Sequence, residues 1–110
     1  MEKRLTYIVD IDGTICNTPL TVDGKHNYEI SVPIYDRIKY INSLYDEGHE
    51  IKYWTARGSS SRIDWYDLTL QQLTEWGCKF HSVSIGKPSY DVWIDDKAVN
   101  ASDLPPWFGD

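Results

Sequence analysis

Short β-rich runs that stop abruptly at a polar cluster, alternating with stretches of helical period, limit this chain to an α/β architecture. Residues 5–9 (LTYIV) end at Asp10, as a buried parallel strand would. Residues 13–30 carry Gly, Pro, Asn and Thr without a period and read as a flap-like loop over about 14–30, with a small hairpin around Asp23 and Gly24. Ser31 is the expected N-cap of a first helix, with Pro33 in its first turn. Ile34, Ile38, Ile41 and Tyr45 recur at helical spacing, and Gly48 is the stop. A second strand covers 50–54 and ends at Thr55. Ser59 to Ser61 offer caps for a second helix with Ile63, Tyr66, Leu70 and Leu73 on one face and Gly77 past its end. Residues 80–85 and 90–94 (YDVWI) read as third and fourth strands. Helices between the first three strands imply a parallel sheet with right-handed crossovers. The tail from Leu104 has two prolines, is not helical there, and is expected to pack on the body.

Four polar clusters fall just beyond the expected strand ends: Asp10 to Thr14, Trp54 to Gly58, Gly86 to Pro88, and the pair Asp95 and Asp96. In open α/β sheets ligands bind outside the carboxyl ends of the strands, so distant segments would deliver carboxylates, a hydroxyl and an ammonium to one crevice. Asp10, Asp95 and Asp96 crowded together would repel unless a cation sat among them. Oxygen donors select a hard ion, and Mg²⁺ takes one or two carboxylates plus phosphate oxygens. Lys87, the Thr55 hydroxyl and backbone N–H groups of the Gly13 and Arg57-Gly58 turns would donate to an anionic group. A carboxylate beside Mg²⁺ and facing a phosphoryl group is a candidate nucleophile. Asp12, two residues on, lies on the same side of an extended chain and is placed to protonate a leaving oxygen and then activate water.

DIDGT, a strand ending in Thr, a downstream Lys and an acidic pair after another strand resemble the haloacid dehalogenase-like (HAD) superfamily of Mg²⁺-dependent phosphotransferases. The resemblance covers roughly residues 5 to 100, with all four motifs in order. The strings YDRIKYINSLYDEGHEIKYWTARG and TLQQLTEWGCKFHSVSIGKPSYDVWIDDKA look like the small capless HAD phosphatases linked to capsule and polysaccharide biosynthesis. The resemblance implies a Rossmann-like three-layer fold with Asp10 as the nucleophile that forms an aspartyl-phosphate and also binds Mg²⁺. Asp12 would be the general acid/base, its backbone carbonyl a second metal ligand. Thr55 would hydrogen-bond the phosphoryl group and Lys87 neutralise it. Asp96 would ligate the metal directly and Asp95 hold a metal-bound water. Gly13, Thr14, Ala56 and Arg57 would line the substrate. Within that superfamily the acid at Asp12 favours a phosphatase or phosphomutase. One loop, one helix and one strand fill the stretch from Asp12 to Thr55, and one helix and one strand fill that from Thr55 to Lys87, leaving no room for a cap domain. An open site favours the phosphatase, since mutases exclude water.

Composition bounds the rest. A chain of 110 residues, 41% hydrophobic, fits one domain. Lys and Arg number 11 against 17 Asp and Glu, for a net charge of −6, which argues against a general nucleic-acid or anionic-membrane binder. No apolar run approaches the roughly 18 residues of a membrane span, and MEKR leads directly into a strand-like run rather than a signal-peptide core. Cys16 and Cys78 form no CxxC and read as reduced thiols of a cytoplasmic protein. Cys16 is expected to pack as a small hydrophobe. Arg57 either meets the substrate's phosphate or leaving group or covers the start of the second helix. His26 in the flap is a candidate substrate contact; His49 and His81, at strand beginnings, are assigned no role. Five tryptophans suit core packing, and an exposed subset would serve a homo-oligomer interface. The expected partner is a phosphorylated small molecule of sugar type. The alternatives are a nucleotide or polynucleotide phosphatase and a non-catalytic HAD-fold regulator. A response-regulator receiver fits less well, because no Asp occupies a strand end between Asp12 and Thr55.

Overall fold

The computed structural model of the chain describes residues 3–59 and 61–104. Three parallel strands, β1 (Thr6–Val9), β4 (Glu50–Thr55) and β5 (Ser82–Ile85), form a sheet in the order β1-β4-β5. Helix α1 (Tyr35–Asp46) connects β1 to β4, and α2 (Tyr66–Glu75) connects β4 to β5. A two-stranded antiparallel ribbon, β2 (Cys16–Asn17) with β3 (Val32–Pro33), bounds the loop between β1 and α1. The molecule is therefore a small α/β domain.

Strand alternation sets the layers. Tyr7 pairs in register with Ile51, and Val9 with Tyr53, which in turn pairs with Val83. These side chains share one face, and Ile51 and Tyr53 are fully buried there. Ile38, Ile41 and Leu44 of α1 and Leu73 of α2 join the same core cluster, so both helices cover one face, as successive right-handed crossovers in one direction require. The opposite face carries Thr6, Ile8, Lys52, Trp54 and Ser84, with Ile8 58% exposed. Among the described residues the expected third layer is thus not present as helix, and β1 is an edge strand rather than a buried one.

The helices stop where glycine was expected to stop them. His49 N donates to Leu44 O and Gly48 N to Tyr45 O; Cys78 N donates to Leu73 O and Gly77 N to Thr74 O. Each is the paired bonding of a Schellman motif. The starts differ from expectation. Pro33 lies in β3 opposite Cys16, and α1 begins after Ile34, whose N–H donates to Ile15 O at 2.8 Å. Ser31 is drawn away from a capping role by Thr18 and Arg57, which bond its hydroxyl. At α2 the Asp64 carboxylate, not a serine, accepts from Tyr66 N at 2.9 Å, while Ser59 Oγ donates to Lys87 O and Ser60 lies outside the described residues. The buried face of α2 is Thr69, Gln72 and Leu73; Ile63 and Tyr66 are exposed.

Residues 90–94 form no strand. Strand preference expresses a fit to a pleated, half-buried surface, and here the segment takes aromatic contacts in place of a ladder. Trp93 packs edge-on against Trp54 on the outer sheet face and against Tyr90. Val92 and Ile94 are left 74% and 93% exposed. The hairpin expected near Asp23 appears as a tight loop, with Thr21 N bonded to Lys25 O and a bridge between Leu20 and His26. Beyond Leu104 the tail lies outside the described residues.

Candidate active site

The shared register of Val9, Tyr53 and Val83 brings the ends of all three strands to one edge of the sheet. From that edge emerge Asp10, Thr55 and Lys87. Lys87 N donates to Thr55 O at 3.1 Å, which carries β5's continuation back across β4. Lys87 Nζ then lies 3.1 Å from Asp10 Oδ2. The lysine is 8% exposed, with its ammonium over the rings of Tyr90 (4.9 Å) and Trp93 (5.5 Å). Aromatic faces attract a desolvated cation, so the same segment that forms no strand shields this ion pair. Asp10 Oδ1 accepts from Ile11 N at 2.8 Å, fixing the carboxylate's rotation.

The turn after β1 is anchored by fully buried Ile11 and Ile15 and closed by Thr14 N and Ile15 N donating to Ile11 O. Gly13 N donates to Cys16 O, and Arg37 on α1 donates to the carbonyls of Gly13 and Thr14. The expectation that the Gly13 turn offers free backbone donors to an anion is corrected here: the turn uses the N–H groups of Gly13 and Thr14 to close itself. Arg57 N is likewise taken, donating to Thr55 Oγ1 at 3.1 Å. Thr55 is buried at the end of β4 and Ala56 half-buried beside it.

Asp12 is held from several sides. Arg57 Nε donates to Oδ2 and Arg57 NH2 to Oδ1, both at 2.9 Å. Thr18 Oγ1 donates to Oδ1 at 2.5 Å, and the Cys16 thiol approaches it at 3.5 Å. Burial works to raise the Asp12 carboxyl's pKa, but the hydrogen bonds and charge of Arg57, with Thr18 and Cys16, hold it below the usual value. Arg57 itself is 1% exposed. Its remaining contacts go to Thr69 Oγ1 (3.1 Å), Gln72 Oε1 (2.6 Å) and Ser31 Oγ (3.3 Å), and its guanidinium lies over the Tyr28 ring. The reading of Arg57 as a substrate contact is therefore corrected. Its donors are occupied inside the protein, and it positions Asp12.

A cleft of about 450 Å³ opens beside Asp12 and Gly13, walled by Asn17, Thr18, Pro19, His26 and Val32 of the loop. His26 thus borders the site, stacked on Tyr28 at 5.7 Å. Cys16 is fully buried, and its thiol pKa is pushed up to about 12 by burial and by the charge of Asp12, as the packing reading required. Both cysteines are free thiols.

Asp95 and Asp96 are not gathered with Asp10 and Asp12. Asp95 accepts from Lys97 N (3.0 Å) and Trp93 Nε1 (3.2 Å), and these bonds lower its pKa to about 2. Both residues are exposed. Among the described residues no group of three or more His, Cys, Asp or Glu side chains is placed to hold one metal ion. The cause is local: without a strand over 90–94, the acidic pair is not delivered along the sheet to the edge where Asp10 stands.

Sequence reasoning missed Thr18, Ser31, Arg37, Thr69, Gln72 and Tyr90. Thr69 and Gln72 had a visible signal, two polar residues three apart beside Leu73 on the helix face that meets the core. Arg57 is the buried charge they serve.

No family model matches the chain, and no curated protein matches it. A crystal structure of a structural-genomics target from Vibrio cholerae is similar to it, with 27% identity over 90% of this chain and 85% of that one, at a TM-score of 0.76. The likeness supports the α/β fold across nearly the whole chain. Among the described residues no helix is long and apolar enough to cross a membrane.

Proposed function

We propose that the chain is a Mg²⁺-dependent phosphomonoesterase of the Rossmann-like HAD type, acting in the cytoplasm on a phosphate ester of a small sugar-type metabolite. The observation that carries this reading is the pair Asp10 and Lys87. Two groups far apart in sequence meet at 3.1 Å where the parallel strands end, with Lys87 N bonded to Thr55 O and Asp12 two residues beyond Asp10. An isolated carboxylate is a poor nucleophile toward a dianion; a buried ammonium at this distance lowers the charge barrier.

In the first half-reaction the free lone pair of Asp10 attacks phosphorus, and the ester oxygen leaves with a proton from Asp12. In the second, Asp12 takes a proton from water, which displaces phosphate from Asp10. The carboxylate gripped by Arg57 is the base form suited to that second step. To act as the acid in the next turnover, it must keep the proton taken from water and open one of the two Arg57 bonds to deliver it. Thr55, at the end of β4, would donate its hydroxyl proton to a phosphoryl oxygen, its oxygen already accepting from Arg57 N. The Asp10 carboxylate and the Asp12 backbone carbonyl would be oxygen donors to Mg²⁺, which suits a hard ion in kind, whereas Asp95 and Asp96, exposed and apart from them, do not complete the set. Bound there, Mg²⁺ would offset phosphoryl charge.

Phosphate release from sugar, keto-acid and nucleoside monoesters, with Mg²⁺ and with EDTA, tests the proposal. The expected result is Mg²⁺-dependent turnover that disappears in Asp10→Asn while the fold persists, and falls severely in Asp12→Asn. Equal turnover in Asp10→Asn overturns the mechanism, and silence across the panel in folded protein overturns the activity.

A further inference from the structure

Gln72 on α2 makes two short bonds in opposite directions. Its Oε1 accepts from Arg57 NH1 at 2.6 Å, and its Nε2 donates to Tyr28 O at 2.6 Å. The amide's orientation is unambiguous, because a guanidinium only donates and a carbonyl only accepts. The side chain is 6% exposed. On one side, then, it braces the cation that grips Asp12. On the other it ties down the backbone at Tyr28, whose ring is sandwiched by the Arg57 guanidinium (4.8 Å), the His26 ring and the edge of Trp65 (5.1 Å). Tyr28 sits between His26 and Val32, two walls of the cleft beside Asp12.

We propose that Gln72 is a positioning residue that couples the seating of the flap wall to the aim of Asp12 through Arg57. One amide holds both, so a flap lifted off its seat loosens the Arg57 clamp, and a reseated flap restores it. This rests on the phosphatase reading only where it speaks of turnover. The chemistry explains why the residue is glutamine. A glutamate keeps an acceptor for Arg57 but has no proton for Tyr28 O. A methionine of similar volume has neither: it orphans a buried guanidinium N–H and leaves Tyr28 O only its bond from Ser31 N.

The two substitutions separate the arms in ¹⁵N-labelled protein. Gln72→Glu should speed amide exchange across residues 19–32 about tenfold, the factor for one lost hydrogen bond of ordinary net strength, while the slowly exchanging Arg57 Nε–H signal remains. Gln72→Met should speed the flap and also lose that Arg57 signal. In both, β4 amides stay protected. In turnover, Gln72→Glu should raise KM with little change in kcat, and Gln72→Met should lower kcat as well. Unchanged flap exchange in Gln72→Glu, or an unchanged Arg57 signal in Gln72→Met, overturns the coupling. Protection lost uniformly through the sheet also overturns it, by showing a merely structural role. Wild-type protein that releases no phosphate overturns the phosphatase reading instead, and the two exchange readouts still decide the coupling.

Discussion

Arg57 and Asp12 meet in a two-point ion pair whose partners are unequally hidden: the arginine side chain is fully buried, and the aspartate side chain keeps 23% of its surface. Two parallel N–H···O bonds at 2.9 Å fix the carboxylate's plane as well as its charge. Because the buried partner is the cation, what replaces the Asp12 carboxylate decides the cost. Asp12→Ala leaves a buried guanidinium without its anion and is expected to cost about 3–5 kcal/mol, whereas Asp12→Asn, still an acceptor, costs less. Urea unfolding of the two variants checks this. Equal stabilities would mean the pair carries little of the fold.

The same pair gives a pH dependence of definite sign. Asp12 has its pKa lowered on folding, so the unfolded chain binds its proton more readily than the native one. The resulting stability is full above the ordinary value near 3.8 and is lost as pH falls through the lower native value. The Tm gap between wild type and Asp12→Asn should hold steady from neutral pH to about 5 and narrow below about 4. A gap that widens on acidification contradicts this.

Gly58 follows Arg57 with φ of +84°, and a Cβ there would lie 2.3 Å from the carbonyl oxygen of Ile63. Gly24 has a similar φ of +81° and open space around it. Gly24→Ala should therefore cost only the backbone penalty of about 1 kcal/mol. Gly58→Ala should cost more than about 2 kcal/mol and reduce turnover, because the backbone that must yield is Arg57's own turn. Comparable losses at the two sites would remove the steric argument.

His49 and His81, which the sequence left without a role, serve the amino-terminal edge of the sheet. Leu5 N donates to His49 Nδ1 at 3.0 Å, and Ile51 N to His81 Nδ1 at 3.1 Å. His81→Leu would strand the N–H of fully buried Ile51, at an expected cost of about 1–3 kcal/mol. Thermal unfolding measures it, and an unchanged Tm would show that water replaces the imidazole.

The two thiols should be inert in the folded protein. Burial raises Cys16 to about 12 and Cys78 to about 11. A thiol-specific disulfide reagent at pH 8 should leave Cys16 unlabelled until urea is added, after which both cysteines react. Rapid native labelling of Cys16 would show that the Asp12 turn opens.

Much of the architecture was legible because it rests on local periodicity and local stops. The β-rich run 50–54 was legible as a strand ending at Thr55, and Gly48 and Gly77 ended their helices for reasons contained within six residues. The helix starts were less legible, since the serines suited to cap them had stronger partners elsewhere: Ser31 with Thr18 and Arg57, Ser59 with the Lys87 carbonyl. Residues 90–94 look like a strand in composition, yet a strand also needs an edge to pair with. Aromatic packing of Trp93 on Trp54 took its place.

What the sequence determined by itself was the alternation of strands and helices, and with it one sheet edge at which Asp10, Thr55 and Lys87 emerge. Periodicity and glycine stops are short-range, and parallel order follows from the crossovers. What only the tertiary structure decided was which groups meet there. Arg57 turned inward to Asp12 because a buried guanidinium must find acceptors, and Thr69 and Gln72 of α2 and Ser31 of the loop before β3 supplied them from two separate segments. A charge's choice of partner depends on distances between segments that no local pattern encodes.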